Sequence, residues 1–298
     1  MNSMTPQPRI ERVADTQDRL GETPLWSGET GELSWIDIET LRLHSLDVLG
    51  RGCVATRSLS GSHLGCQALA GRDRRLVAID RRLQFLDLES DALEPFATVE
   101  EDGNTRLNDG RVDRRGRLWI GTMDIGLTDR SGSLYRVDPD GTVERMITGV
   151  IVSNGIAFSP DGKALYFTDT RRYLSFVFDL DPNDGAISNR RIFADYSKTG
   201  ERPDGACVDV DGCLWAAFFA GGRVVRYRPD GRIDREIALP VTNPTCVCFG
   251  GKDFKTMFVT TARKFMSAGQ LAAEPLAGAV LAIEGVGQGL PENRFGQS

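Results

Sequence analysis

Four side chains able to offer oxygen to a cation or a hydroxyl stand at nearly constant distances ahead of four aromatic residues. Glu22 precedes Trp35 by 13 positions, Asn108 precedes Trp119 by 11, Asn154 precedes Tyr166 by 12 and Asp204 precedes Trp215 by 11. If these positions share a cavity, two carboxylates and an amide repel or stay unsatisfied unless a cation lies between them. Glu22, Asn154 and Asp204 therefore predict an oxygen-only site for one divalent ion, with calcium, manganese or magnesium preferred over structural zinc. Any single Asn-Gly or Asp-Gly corner could instead bond its own backbone in a turn. The repetition favours the joint site. Arg106 lies two residues before Asn108, so on an extended chain both point to the same face. A guanidinium and an amide beside a metal suit the hydroxyls or carboxylate of a polyol-like ligand; a surface ion pair is the ordinary alternative for Arg106.

Other catalytic apparatus is missing from the sequence. There are only two histidines, His44 and His63, too few for a His-rich metal site and poor support for a Ser-His-Asp triad. No GxSxG elbow or phosphate-cradling loop occurs. His44 falls on an outer strand and reads as structural, while His63 lies near a corner where it could touch a ligand.

The spacing that would gather the corners is a repeat. Trp35, Val77, Trp119, Tyr166, Trp215 and Phe258 follow one another at gaps of 42, 42, 47, 49 and 43 residues. A second series runs in parallel: HSLD (44–47), QFLDL (84–88), LYRVD (134–138), FVFDLD (176–181), VVRYRPDG (224–231) and VLAIE (280–284). A period of this size, made of short alternating strands and tight Asp-Gly turns, predicts an all-β, six-bladed β-propeller with four antiparallel strands per blade. The whole chain, 1–298, reads as one such domain, with residues 1–8 a flexible tail. In a propeller the innermost strands line the axis, so residues about 45 apart meet at one mouth. The segment RIERVA (9–14) has strand character and is expected to pair with the last blade, removing the open edge. Helical periodicity is confined to a short turn at 268–276.

Composition limits the possible partners. A formal charge of −6 disfavours nucleic acid. No apolar run approaches the ~20 residues of a membrane span, and no basic-then-apolar leader opens the sequence, so the expected location is the cytoplasm. The six cysteines lack CxxC spacing and are expected as reduced thiols in blade packing. Arg72, Arg74, Arg75, Arg81 and Arg82 read as solvated hairpin tips. No segment argues for assembly, so a monomer is expected.

The motifs LGETPLW around Glu22, RLNDGRVDRRGRLWIGTM, SNGIAFSPDGKALYFTDT and RPDGACVDVDGCLWAAFF, in this order and at blade spacing, resemble the SMP-30/gluconolactonase/regucalcin family over residues 18–285. The later FGGKDFKTMFVTTARKFM and PLAGAVLAI are similar to its bacterial sugar-lactonase branch. The resemblance implies hydrolysis of an aldonolactone, with one divalent ion (Ca, Mn, Mg, Zn or Fe(II)) held by Glu22, Asn154 and Asp204. It also implies that Arg106 and Asn108 contact a small-molecule sugar lactone. Asp204 is then both ligand and candidate general base for an attacking water. Asp124-Ile125-Gly126 departs from the acidic pattern of the animal members, which bears on substrate choice. Three rival readings remain: a calcium-binding regulatory protein without lactone turnover, a bare scaffold for protein partners, and turnover of phosphotriesters or aryl esters at the same site.

Overall fold

Runs of four to nine residues that alternate apolar and polar, separated by Gly, Asp and Asn, fold as strands and reversals. The computed structural model describes residues 8–48 and 52–297; the first seven positions of the expected tail lie outside the described residues. The strands form six four-stranded antiparallel sheets, the blades of a six-bladed β-propeller. The innermost strands are Gly21–Ser27, Leu64–Leu69, Thr105–Val112, Ser153–Phe158, Arg202–Val208 and Pro244–Gly250. The second sequence series supplies the third strand of every blade. Ile10–Ala14 pairs antiparallel with Val280–Glu284, so the sixth blade is built from both ends of the chain. This is the expected closure. One short helix, Ala268–Ala273, occupies the predicted turn, and no helix of the described residues is long and apolar enough to cross a membrane.

Blades stack through apolar faces, and the aromatic series marks them unequally. Trp119, Tyr166, Trp215 and Phe258 pack against the blade that follows. Trp35 and Val77 instead pack against the blade that precedes them. The equivalence read from sequence is therefore one residue out in the first two blades, and a one-residue slip on a strand moves a side chain to the opposite face. The count of blades survives because the slip is common to both.

Two further expectations are corrected. Arg75 is no solvated tip: it is 2% exposed and donates from Nη2 to Glu32 Oε1 of the first blade at 3.0 Å. Arg75 is the second residue of the strand Arg74–Ile79, and its side chain is directed between blades, where a guanidinium needs a carboxylate. Cys53 is exposed, whereas the other five thiols are buried as expected. His44 is structural, its Nδ1 2.8 Å from Thr56 Oγ1, its Nε2 3.2 Å from Asp18 Oδ1 and its ring stacked on Trp35.

At the far end of the axis the chain's last residues cross from the fifth and sixth blades to the second and third. Val210 N–H donates to Gln288 O, Asn293 Nδ2 to Val112 O and Phe295 N–H to Leu69 O. Glu292 approaches Arg111 at 3.5 Å beneath the channel.

Candidate functional site

Every innermost strand enters from the same mouth, and every one is bulged near its start. The ladder to the second strand shifts between Glu22 and Leu25, Leu64 and Cys66, Leu107 and Gly110, Asn154 and Ala157, Pro203 and Ala206, and Pro244 and Cys246. A bulge frees a residue from strict alternation and re-aims its side chain. The Asn-Gly and Asp-Gly pairs at 154–155 and 204–205 thus lie within bulged strands, not at hairpin tips. Their glycines permit the close approach of neighbouring strands. A Cβ on Gly205 would meet Cys246 Sγ at 2.3 Å, and Gly155, at φ +59°, faces Thr168 Oγ1 and the Asp204 carbonyl.

The loops joining second to third strands frame the same mouth with a shared turn geometry. Leu41, Asp80, Leu127, Tyr173, Ala220 and Phe265, one per blade, adopt φ between 49° and 63°. Such left-handed conformations are strained for residues other than glycine and persist where the surroundings impose them. Leu127 and Phe265 border the cavity as a result.

Glu22, Arg106, Asn108, Asn154 and Asp204 all line one cavity of about 110 Å³ at this mouth. The sequence placed all five together. Arg106 Nη1 donates to Asn108 Oδ1 at 2.8 Å, and Asn108 Nδ2 donates to Asn154 Oδ1 at 2.9 Å. Asn154 Nδ2 continues to Thr170 Oγ1 at 2.9 Å, and that hydroxyl donates to the Pro203 carbonyl at 2.7 Å. This chain of donors fixes the amides: Asn154 must present its oxygen toward Asn108 and retains one free lone pair there. Cys66 and Thr245, the remaining corners, are buried, Thr245 Oγ1 donating to the Gly21 carbonyl.

No cation reaches either carboxylate at ion-pair distance among the described residues, although Arg106 acts on Glu22 and Arg202 on Asp204 from farther off. Glu22 accepts from the Thr23 N–H at 2.9 Å, and among the described residues neither it nor Asp204 joins an ion pair. Burial pushes the Glu22 carboxyl up to about 8, with repulsion from Asp109 adding to it. Burial likewise pushes Asp204 well above the usual carboxylate range, and Glu22 and Asp109 reinforce the shift. Burial also lowers Arg106 to about 10, although Glu39, Glu22 and Asp204 oppose the change.

Sequence spacing missed several neighbours. Asp109, adjacent to Asn108, is a third buried acid whose Oδ2 accepts from the Ile156 N–H at 2.9 Å; it lies inside the ladder shift between Leu107 and Gly110, where strict alternation does not hold. Arg202, at the start of an inner strand and two residues before Asp204, lines the cavity together with Arg171, Lys264 and Phe265 from the turns between strands. His63 does not line it. Asp124 is taken up by its own loop, accepting from the Thr128 N–H and the Ser131 hydroxyl.

Comparison with known proteins agrees with this architecture. The model described as SMP-30/Gluconolactonase/LRE-like region matches residues 20–263. A 6-deoxy-6-sulfogluconolactonase of Pseudomonas putida is 41% identical over 265 residues, which is 88% of this chain and 90% of that protein. An L-arabinolactonase of Azospirillum brasilense is 36% identical over 299 aligned positions, 99% of this chain and 98% of its own. The crystal structure of a calcium-binding protein, regucalcin, from Agrobacterium tumefaciens has a TM-score of 0.92 at 29% identity, covering 97% of this chain and 98% of that one. With six bulged blades, one axial cavity and a family match across most of its length, the chain belongs to the SMP-30/gluconolactonase/LRE-like family.

Proposed function

We propose that the protein hydrolyses a sugar lactone to the corresponding aldonic acid, using one divalent cation held by Glu22, Asn154 and Asp204. The observation that carries this reading is the pair of buried carboxylates without an ion-pair partner, facing a cavity that also holds an amide oxygen. Among the described residues no group of three or more His, Cys, Asp or Glu is arranged to hold a metal. Two carboxylates and one amide form an all-oxygen donor set, which suits a hard cation better than a thiophilic one. Two buried acids with raised proton affinity are the state expected of ligands awaiting such a charge. The relatives named as lactonases support the reaction class.

A bound divalent cation supplies Lewis-acid polarisation of an ester carbonyl and a more acidic water. Arg106 and Asn108, locked together by their hydrogen bond, hold the hydroxyls of the sugar and fix the face of the lactone presented for attack. Asp204 accepts the proton of the attacking water at a carboxylate oxygen. Carbon–oxygen bond formation at the carbonyl is followed by cleavage of the ring carbon–oxygen bond. The proton then passes to the departing alkoxide, leaving a hydroxy acid.

Asp204→Asn tests the assignment, because it keeps the shape of the side chain and removes the base. The expected fall in kcat on aldonolactones is at least about 100-fold, read in a pH-drop assay, with chelation giving a comparable loss. Turnover that survives both changes would sink the proposal. Tight calcium binding without turnover of any lactone would favour the regulatory reading suggested by the calcium-binding structural relative.

A further inference from the structure

The axial cavity has a neighbour. A second hollow of about 320 Å³ opens beside it, and Arg171, Arg202, Phe219 and Phe265 line both. These four residues are the divide between the two spaces. Three of them belong to an ordered ladder. The Arg202 guanidinium lies 5.6 Å from the Phe219 ring centre, Phe219 meets Phe265 edge-on at 6.3 Å, and Lys264 Nζ sits 5.2 Å over Phe265. Phe265 is 70% exposed and held there by its left-handed backbone. An aromatic wall carrying a cation at each end is a preorganised surface, because the guanidinium loses little further freedom when a ligand arrives.

Charge balance at the divide is unusual for this chain. The protein has 42 acidic and 36 basic residues, and Lys264 is matched by Glu39. Arg171 and Arg202 form no ion pair among the described residues. Arg202 acts on the buried Asp204 carboxyl without forming an ion pair with it, and Arg171 has no acidic partner among the described residues, so the two guanidinium groups flanking one opening leave a local positive field that draws anions. A guanidinium fork also matches the paired oxygens of sulfonate, phosphate or carboxylate.

We infer that the preferred substrate is a sugar lactone bearing an anionic group on its exocyclic carbon, seated between Arg171 and Arg202 while the ring lies against Arg106 and Asn108. The inference deepens the lactonase reading and rests on it. The competing destination for these cations is the carboxylate that hydrolysis itself creates, which every aldonolactone yields. The two are separable because the C6 anion is present before the bond is cut, whereas that carboxylate appears only afterwards.

The experiment compares kcat/KM of the full-length, cation-replete protein on glucono-1,5-lactone and on the same lactone carrying a sulfonate, phosphate or carboxylate at C6. At least one anionic lactone should exceed the neutral one by tenfold or more, and the three arms identify which anion fits. Arg171→Gln should reduce that anionic-to-neutral ratio by about tenfold to a hundredfold, the worth of one charged hydrogen bond. Arg171→Lys should retain part of it, and added salt should erode it. Equal use of neutral and anionic lactones, or an equal loss on both in Arg171→Gln, would overturn the inference and leave the lactonase reading standing. If no lactone is turned over, the lactonase reading fails, and calorimetric binding of C6-anionic against neutral aldonates decides the anion seat. A preference lost in Arg171→Gln upholds the seat, and no preference removes it.

Discussion

Stripping divalent cations should make the protein lose thermal stability as the pH rises from about 5 to 8, and restoring the cation should cancel that loss. The magnitude follows from Glu22, whose carboxyl is lifted from its ordinary 4.5 to about 8, first by burial and then by Asp109. A carboxyl whose folded pKa exceeds its unfolded one holds its proton more tightly when folded. Its contribution is complete below the unfolded value and disappears as the pH climbs through the folded one. At 1.36 kcal/mol for each pH unit, the interval from 4.5 to about 8 amounts to at most about 5 kcal/mol. For a chain of this length that is roughly 10 °C in Tm. The assay is scanning calorimetry in chelator at several pH values, for the native protein and for Glu22→Gln, which cannot ionise at this position. The native curve should slope downward more steeply than the variant's. Calcium, manganese, magnesium, zinc or iron(II), added singly at pH 8, should raise the native Tm well above the variant's. Parallel slopes in the two proteins, or equal cation shifts, would refute the reasoning.

Arg106→Lys keeps a charge but loses the fork that pins Asn108, so KM for a lactone should rise by about tenfold with Tm little changed; steady-state kinetics beside calorimetry separate the two effects. Deleting residues 1–14 uncovers the edge of Val280–Glu284, where Leu281 and Ile283 are fully buried. The shortened protein should lower its Tm by several degrees, on the order of 2 °C per kcal/mol lost, and associate through the bared edge. Size-exclusion chromatography giving the unaltered elution volume at native Tm would contradict this.

Blade count, strand placement and ring closure were legible because alternation and spacing are properties of the chain itself. Glu22, Asn108, Asn154 and Asp204 were legible for the same reason: the repeat carries them to one level of the axis, and Arg106 follows Asn108 by strand geometry. Trp35 and Val77 were misread by one residue because an aromatic or apolar side chain satisfies either face of a buried blade, leaving composition silent on register. Asp109 was hidden by the bulge that brings it into play. Arg202 stands two residues before Asp204 as Arg106 stands before Asn108, so the repeat held it, although it was passed over; Arg171 and Phe265 were out of reach because side-chain type at these turns does not repeat, although the turn at Phe265 does. Arg75 resembled its exposed neighbours in sequence and differs only in facing Glu32 across a blade boundary.

The bulge repeated at the head of all six inner strands divides the labour of the molecule. Below it, regular pairing supplies cohesion; at it, each blade offers a socket whose side chain faces the axis while its backbone stays at the edge of the ladder, as Glu22 opposite Ile36 and Asn154 opposite Thr168 do. A lineage could exchange glutamate for serine, or cysteine for aspartate, socket by socket, and try new chemistries while the wheel beneath kept its shape.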